Sequence, residues 1–315
     1  MGLTRIRVFA PATVSNVGPG FDVLGFALHR PGDVVEAERS DEPGVALTGI
    51  TGDGGALPVD AARNSASVAA RAVWERAPGG RPRGILLHLH KGMPLASGLG
   101  SSGASAAAGA VAANLLLDEP LPLAELVRCA MAGERAACGA AHADNVAPSI
   151  AGGIVLIRSY DPLDLVCLPV PDGLFVAVVH PHCGVSTRDA RARLARRTFA
   201  LPDIVANAGN LGALVAALYR QDLPLLGRAI EDRLVEPVRA EMIPAYADVR
   251  RAALEAGALA CAISGSGPSM FAVADSAGAA AGAARAMRRG FRDAAALASE
   301  TWVGPISRRG AAQAE

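Results

Sequence analysis

The residues with the clearest chemical potential form a glycine- and serine-rich segment at 98–103, with the sequence GLGSSG. Glycines let the backbone turn its N–H groups inward, and the two serines add hydroxyls. The alanine-rich sequence from about residue 102 predicts a helix whose amino end carries partial positive charge. Lys91, at the end of a predicted strand, could add a point positive charge. Together these features predict a phosphate-binding loop, and the alternative is a glycine-rich turn that only starts a helix.

The same segment satisfies the pattern G-x-G-x-x-G, which is found in dinucleotide-binding folds. Such a site needs a strand directly before the glycines and an acidic residue at the end of the next strand, about 20 residues on. Here the predicted strand ends near His90, and the acids Asp118 and Glu119 close a helix. The context therefore excludes a nicotinamide site. A P-loop is excluded as well, because Lys91 is the only lysine and no GK[ST] exists.

Composition excludes several other classes of protein. The 315 residues, 51% of them hydrophobic, suit about two domains with sizeable cores. The 30 basic residues balance 30 acidic ones, which disfavours nucleic-acid binding. The five cysteines form no C-x-x-C pair, so we expect neither a disulfide framework nor structural zinc, and a reducing cytoplasm fits best. No signal-peptide core is visible, and the uncharged segment 92–117 is rich in alanine and glycine, so we expect no membrane span.

The order of the predicted elements favours an α+β fold, because strands and helices are grouped rather than strictly alternating. A helix beginning at Ser186 has a capping-box pattern, and 258–275 reads as two strands around a Gly/Ser turn at 264–269, which we expect to close the nucleotide site. A domain boundary is predicted near residue 163, and 306–315 is predicted to be a flexible tail. The remaining strands are predicted at 6–10, 21–28, 33–39, 84–90, 153–158, 165–170 and 174–180, and the helices at 64–76, 102–117, 122–137, 203–220, 223–233, 243–256 and 279–289.

Three segments resemble the sequence motifs of the GHMP kinases, a family of small-molecule kinases. Residues 11–28, 94–105 and 263–273 are similar, in that order, to the first, second and third motifs of the family. Three further segments, HADNVAP (142–148), VSTRDAR (185–191) and EPVR (236–239), resemble the members that act on L-homoserine. The resemblance extends from about residue 7 to 303.

The resemblance implies the two-domain GHMP kinase fold. Residues 1–163 would form an N-terminal ATP-binding domain like domain 2 of ribosomal protein S5, and residues 164–305 a ferredoxin-like C-terminal domain. The implied reaction is ATP-dependent phosphorylation of the side-chain hydroxyl of L-homoserine to O-phospho-L-homoserine, a step of threonine biosynthesis, with Mg²⁺. A homodimer in the cytoplasm is implied, with no nucleic-acid or membrane partner.

The resemblance also assigns roles to individual residues. Mg²⁺ would be held by Ser102 and Glu134, although Glu134 could instead be a solvent-facing acid paired with Arg135. The expected catalytic residues are Ser102, Glu134, Asn16 and Thr187. The expected substrate-binding residues are Asp22, Asn16, His142, Asn145, Arg191 and Arg239. The expected ATP-binding residues are Asn64, Lys91, Pro94, Leu95, Ala96, Ser97, Gly98, Leu99, Gly100, Ser101, Ser102, Gly103 and Ala104.

Other interpretations of these residues stay open at the level of sequence. Asn16 and Asp22 are also typical turn residues around Gly18-Pro19-Gly20, and Thr187 could be a helix cap. The pairs His88/His90 and His180/His182 could bind zinc, but no third ligand accompanies them, so a structural role is expected. The whole chain could be a kinase of another alcohol, such as an isoprenoid intermediate, or a nucleotide-binding or dimerisation module without activity.

Overall fold

The computed structural model describes residues 3–77 and 82–314, which form two units of mixed helices and strands. Its strands are β1 (Arg5–Ser15), β2 (Leu24–Ser40), β3 (Gly44–Thr51), β4 (Gly84–His90), β5 (Ile154–Tyr160), β6 (Leu163–Leu168), β7 (Phe175–Pro181), β8 (Ala260–Ile263), β9 (Met270–Ala274), β10 (Ser299–Pro305) and β11 (Ala312–Gln313). Its helices are α1 (Ser65–Arg76), α2 (Ser101–Leu115), α3 (Leu123–Cys138), α4 (Ala143–Ala151), α5 (Thr187–Leu194), α6 (Leu201–Arg220), α7 (Leu223–Ala229), α8 (Glu236–Ala240), α9 (Tyr246–Glu255) and α10 (Ala277–Ala295).

The first unit is built on a sheet of order β11-β1-β2-β4-β3, with β5 and β6 joined to it through β2. The pairing of β3 with β4 is parallel, whereas the other strands pair antiparallel. A parallel pair needs a crossover connection, and α1 lies between β3 and β4 in the chain. The crossover places β4 beside β3. The loop that precedes α2 then starts directly from the end of β4.

The second unit is an antiparallel sheet of order β10-β7-β9-β8. Helices α5 to α9 separate β7 from β8, β8 and β9 form the predicted hairpin, and α10 leads to β10. This chain order and strand order are those of a split β-α-β, ferredoxin-like arrangement. The α+β class is therefore confirmed for both units.

Small side chains allow helices α1, α2 and α3 to pack closely. In α2 every residue from Gly103 to Asn114 is buried. A Cβ at Gly109 would lie 2.2 Å from the backbone oxygen of Ala66 in α1, and one at Gly133 would lie 2.3 Å from that of Ser65. Larger residues would force the helices apart. The small residues therefore let α2 pack closely on its neighbours, and this packing holds its amino end in place.

Several element boundaries differ from the predictions. Strand β1 continues through Pro11 to Ser15, because the register of β1 against β2 shifts between Pro11 and Thr13, an irregularity that tolerates a proline. The two strands predicted at 21–28 and 33–39 form the single strand β2. Sequence patterns missed the short or glycine- and proline-containing elements β3, α4, α8 and β10.

The domain boundary and the tail also differ from the predictions. Strand β6 begins at Leu163 and pairs with β5, so the first unit extends past the predicted boundary. The predicted tail is ordered: Ile306 is buried, and β11 pairs with β1. The reason is that β1 offers a free edge, which the returning chain covers. Residues 1, 2 and 315, at the ends of the predicted domain and tail, lie outside the described residues.

One helix among the described residues, α6, is long and apolar enough by length and composition to cross a membrane. A single helix of this kind is weak evidence for a span, because many globular proteins contain one. The uncharged segment 92–117 is different: it consists of a loop followed by α2, which is buried in the first unit.

Candidate active site

A cavity of about 720 Å³ is lined by residues of both units. The loop before α2, the ends of α3 and α4, and the loop between β1 and β2 contribute to it from the first unit. Helices α5 and α8 and the turn at 264–269 contribute from the second. The predicted site residues that line it are Asn16, Asp22, Asn64, Lys91, Leu95, Ala96, Ser97, Gly98, Gly100, Ser101, Ser102, Glu134, His142, Asn145, Thr187, Arg191 and Arg239.

The glycine loop opens α2 directly onto this cavity. Gly100 is the residue before the helix, with a positive φ of 66°, and the first helical hydrogen bond runs from the N–H of Ala104 to the carbonyl of Gly100. The backbone N–H groups at the start of a helix have no partner within it. Ser101 and Ser102 line the cavity, so the amino end of α2 opens onto it with the composition that the sequence predicted. Such an end is suited to bind an anion.

The turn at 264–269 in the second unit is hydrogen-bonded to the glycine loop. The hydroxyl of Ser264 donates to the carbonyl of Gly98 at 2.8 Å, and the N–H of Ser269 donates to the carbonyl of Ser97 at 3.2 Å. Gly265 and Ser266 also line the cavity. The turn therefore closes the cavity from the second unit, as the sequence predicted.

Lys91 differs from its predicted role. Its ammonium group is buried and paired with the carboxylate of Asp33, which is also buried. It donates in addition to the hydroxyl of Ser101 at 2.8 Å, to the carbonyl of Ser101 at 3.1 Å and to the hydroxyl of Ser105 at 3.0 Å. An ammonium group has three donors, and these partners occupy them. The expectation of a free phosphate-binding lysine is therefore corrected: Lys91 holds the first turn of α2 in place.

Glu134 lies on α3 with its side chain 6% exposed, so it is not the solvent-facing acid that the sequence left possible. One carboxylate oxygen, Oε1, accepts from the thiol of Cys138 at 3.4 Å and lies 3.9 Å from Nδ1 of His142. The other, Oε2, is buried without a hydrogen-bond partner among the described residues. Burial opposes the charged imidazolium of His142, but hydrogen bonds to Cys138 and Glu134 outweigh it and raise the pKa of His142 above its usual range.

Charged groups of both signs also line the cavity. Arg191 of α5 donates to the carboxylate of Asp22 at 2.7 Å. Arg239 of α8 is buried and donates to the carbonyl of Gly265 at 2.6 Å. Both guanidinium groups lie over the ring of Phe21, at 5.4 and 5.1 Å from its centroid. The aromatic face holds the two cations close together despite their mutual repulsion.

Three polar residues predicted to touch the substrate are engaged within the protein. Asn16 donates to the carbonyl of Gly265 at 2.9 Å and accepts from the N–H of Asp22 at 3.1 Å, so its amide joins the two units. Asn145 accepts from Thr13 and donates to Ser15. The hydroxyl of Thr187 lies 3.1 Å from that of Ser266, and the cap of α5 is Ser186.

The remaining predicted ATP-binding residues divide between the cavity and the core. Asn64 caps α1 by accepting from the N–H of Ala66 at 3.0 Å, and it lines the cavity beside Leu57 and Pro58. Four members of the predicted loop are not among the lining residues: Pro94, Leu99, Gly103 and Ala104. Leu99 and Ala104 instead belong to a hydrophobic core cluster.

The two histidine pairs lie outside the cavity, and one member of each pair contacts polar side chains. His90 contacts Thr51 at 2.8 Å and Glu36 at 3.1 Å, and His180 contacts Ser269 at 3.1 Å. Neither pair belongs to a group of three potential metal ligands in the described part of the chain.

The chain matches the family description "GHMP kinases N terminal domain" over residues 64–153 and "GHMP kinases C terminal" over residues 214–293. It is 48% identical to a homoserine kinase of Chloroherpeton thalassium, over 98% of this chain and 99% of that protein. The chain belongs to the GHMP kinase family. A second homoserine kinase, from Xylella fastidiosa, is 41% identical over 98% of this GHMP kinase and 93% of its own length.

Solved structures agree with this family. A crystal structure of homoserine kinase from Cytophaga hutchinsonii is 50% identical, with a TM-score of 0.94 over 99% of this chain and 98% of that one. Mevalonate kinase of L. major shares the fold, with a TM-score of 0.71 over 94% and 95% of the two chains, at 16% identity. This GHMP kinase is thus a phosphotransferase with an alcohol group as acceptor, and ATP is its co-substrate.

The sequence analysis missed a buried carboxylate of this kinase cavity. Asp144, in the first turn of α4, is buried, lines the cavity and has one carboxylate oxygen without a partner among the described residues. Burial, together with the negative charge of Asp22, raises the pKa of Asp144 to about 6. Its place within the segment HADN, between His142 and Asn145, was the signal that could have found it.

We expect Asp144→Asn to stabilise the unliganded kinase at pH 8. A rise in pKa from 3.8 to about 6 corresponds to about 3 kcal/mol. Because the folded-state pKa is raised, the penalty for the charged carboxylate is complete above pH 6 and vanishes as the pH falls towards 3.8. Urea unfolding should therefore show a gain of about 3 kcal/mol at pH 8 and roughly half of it at pH 5. The exposed Asp41→Asn serves as control and should show no gain; a loss of stability in Asp144→Asn at pH 8 would contradict the prediction.

Proposed function

We propose that this GHMP kinase transfers the γ-phosphoryl group of ATP to the side-chain hydroxyl of L-homoserine, giving O-phospho-L-homoserine in threonine biosynthesis. The observation that carries the proposal is the charge pattern of the cavity: the carboxylates of Asp22 and Asp144 lie with the guanidinium groups of Arg191 and Arg239. An amino acid carries an ammonium and a carboxylate on one carbon. An amino acid can therefore separate the Asp22–Arg191 ion pair, with its ammonium group bound to Asp22 and its carboxylate bound to Arg191. The names of the relatives at 48–50% identity support the same substrate.

ATP would bind along the glycine loop, with its phosphates at the amino end of α2. The unpaired N–H groups and the hydroxyls of Ser101 and Ser102 would bind phosphate oxygens, and Asn64 and the neighbouring Leu57 and Pro58 would lie beside the rest of the nucleotide. Lys91 acts indirectly, because its bonds to Ser101 and Asp33 fix the first turn of the helix. Phosphoryl transfer depends mainly on such alignment and charge neutralisation.

Ser102 and Glu134 would hold Mg²⁺. The buried oxygen Oε2 of Glu134, which has no hydrogen-bond partner among the described residues, fits this role because Mg²⁺ prefers hard anionic oxygen ligands. When bound, the ion neutralises the charge that develops on the transferred phosphoryl group. Nδ1 of His142, at the start of α4, lies 3.9 Å from the other carboxylate oxygen, Oε1, and its positive charge would help to orient the carboxylate.

In this mechanism no protein carboxylate removes the hydroxyl proton. Asp22 serves the substrate ammonium group, and the transferred phosphoryl group accepts the proton. Asn16 and Thr187 would face the acceptor hydroxyl from the two units. The bond from Asn16 to Gly265 joins the units, and the contact of Thr187 with Ser266 lies within the second unit. Arg191 and Arg239 would bind the substrate carboxylate, and His142 and Asn145 would complete the pocket.

The test is an ADP-release assay with Mg²⁺, ATP and a panel of alcohols that includes L-homoserine and mevalonate. We expect turnover with homoserine at a far higher kcat/KM than with any alcohol lacking an ammonium group. Preference for mevalonate would contradict the proposal. Absence of ATP turnover across the panel would instead favour a nucleotide-binding module without activity.

We expect Asp22→Asn to raise the KM for homoserine by about 10- to 100-fold, with a much smaller change in kcat. A hydrogen bond to a charged group contributes about 1.5–3 kcal/mol, and the variant loses the charge that would bind the ammonium group. Steady-state kinetics of this variant and of Asp189→Asn, an exposed carboxylate on α5, measure the effect. A large fall in kcat with an unchanged KM would identify Asp22 as a general base instead.

The homodimer and the cytoplasmic location are further proposals, which rest on the family resemblance. Sedimentation velocity of the purified kinase measures the first, and a monomer across micromolar concentrations would contradict it.

A further inference from the structure

A cluster of three potential metal ligands lies at one wall of the cavity, and the proposed kinase mechanism does not use all of it. Oε1 of Glu134, Sγ of Cys138 and Nδ1 of His142 are separated by 3.4, 3.7 and 3.9 Å. Phosphoryl transfer needs a carboxylate for Mg²⁺, but it gives no role to a thiol. Cys138, whose thiol also lies 3.2 Å from the carbonyls of Glu134 and Ala140, has no role in that reaction.

Local structure brings the three side chains together. Glu134 and Cys138 are one turn apart on the last turns of α3, so they lie on the same face of the helix. Gly139 ends the helix with a φ of 81°, which turns the chain sharply. His142, the residue before α4, then returns to the same face. The arrangement is therefore held by the ends of two helices.

The chemistry and spacing of these atoms match zinc. A tetrahedral Zn²⁺ has bonds of about 2.0 Å to oxygen and nitrogen and about 2.3 Å to sulfur, which set separations of roughly 3.3–3.6 Å between its ligand atoms. The observed separations need only a small contraction. A sulfur and a nitrogen ligand favour a borderline-soft ion such as Zn²⁺ and disfavour Mg²⁺, which prefers oxygen ligands.

A second observation points to a cation at the same place. The side chain of Glu134 is 6% exposed, and its oxygen Oε2 has no hydrogen-bond partner in the part of the chain that the structure describes. A buried carboxylate oxygen without a partner is costly unless a cation or a donor binds it. All three residues line the cavity, so an ion can enter and keep a fourth position open to solvent or phosphate.

We propose that Glu134, Cys138 and His142 form a Zn²⁺ site, and that Zn²⁺ bound there inhibits the kinase by occupying the carboxylate that would hold Mg²⁺. Binding releases the thiol proton of Cys138 and the Nδ1 proton of the charged His142 imidazole, because the ligands are the thiolate and the neutral imidazole. The inhibition rests on the proposed function, whereas the metal binding does not.

Cobalt tests the binding without any need for turnover. We expect Co²⁺, added to the metal-free protein, to give visible ligand-field bands and a sulfur-to-cobalt charge-transfer band, which Zn²⁺ then abolishes by displacement. Cys138→Ser and Cys138→Ala should both lack the charge-transfer band, with circular dichroism confirming that they are folded. Cys167→Ser, which changes an exposed cysteine, should retain it. Absence of the band in the unmodified protein, or its persistence in both Cys138 variants, would overturn the site.

Inhibition is measured in the ADP-release assay with excess Mg²⁺ and a metal buffer that sets free Zn²⁺. Each variant is compared with its own zinc-free rate. Loss of an outer-shell partner already costs 10–100-fold in metal affinity, so loss of a direct ligand in Cys138→Ser should raise the inhibitory Zn²⁺ concentration by roughly 100-fold or more. Equal sensitivity of Cys138→Ser and the unmodified protein would overturn the inhibition. If homoserine is not turned over, the proposed function fails while the cobalt spectra still decide the metal site.

Discussion

Glu134→Gln should lower kcat by about 1000-fold, the size of effect seen when one group that stabilises a transition-state charge is removed. The amide keeps the shape of the side chain but removes the anionic oxygen that would hold Mg²⁺. Because the carboxylate is buried and one of its oxygens has no partner, its removal should not unfold the protein. Steady-state kinetics at several Mg²⁺ concentrations, together with thermal unfolding, would measure both consequences.

Glu125→Gln is the matched control for this experiment. Glu125 lies on the same helix, α3, but its side chain is 43% exposed and pairs with Arg76 and Arg128 at the surface. Surface pairs of this kind contribute little, so kcat should stay within about twofold of the unmodified enzyme. If Glu134→Gln retained most of its activity, Glu134 would not be a ligand of the catalytic ion.

Gly98→Ala should weaken ATP binding and lower kcat by about 100-fold, the loss of rate expected when reacting groups are displaced by about 1 Å. Gly98 has a φ of +77°, and a Cβ there would lie 2.5 Å from the backbone oxygen of Ser264 and 2.7 Å from that of Gly267. Backbone atoms cannot give way as a flexible side chain can. The glycine loop and the turn at 264–269 would therefore separate, and the cavity would lose its closure from the second unit.

Gly173→Ala separates this clash from simple backbone strain. Its φ of +76° matches that of Gly98, but a Cβ there meets nothing closer than 3.8 Å. The left-handed conformation alone should cost about 1 kcal/mol of folding stability and leave ATP binding unchanged. Fluorescence titration with a labelled nucleotide and urea unfolding of both variants would test the difference. Equal nucleotide affinity in the two variants would show that the contact between the loops does not shape the ATP site.

The sequence alone was sufficient to predict that the glycine loop starts a helix, because that property depends on residues only a few positions apart. The same holds for the capping box at Ser186 and the hairpin at 258–275, which the structure confirms. The motif resemblance predicted the family and the α+β fold. The helix start, the cap and the hairpin are local structures, so the order and spacing of neighbouring residues are enough to predict them.

Other properties depended on contacts between distant residues. Lys91 became a positioning residue because Asp33, 58 residues away, lies opposite it across the β2–β4 pairing. The side-chain amide of Asn16 donates its hydrogen bond to the carbonyl of Gly265, 249 residues away. The C-terminal segment is ordered because its strand β11 pairs with the free edge of β1. Periodicity and local propensity report which residues are buried or helical, but they cannot say which buried partner satisfies a given charge. The pairing of strands and the packing of the two units decide that, and with it which of the predicted groups face the cavity.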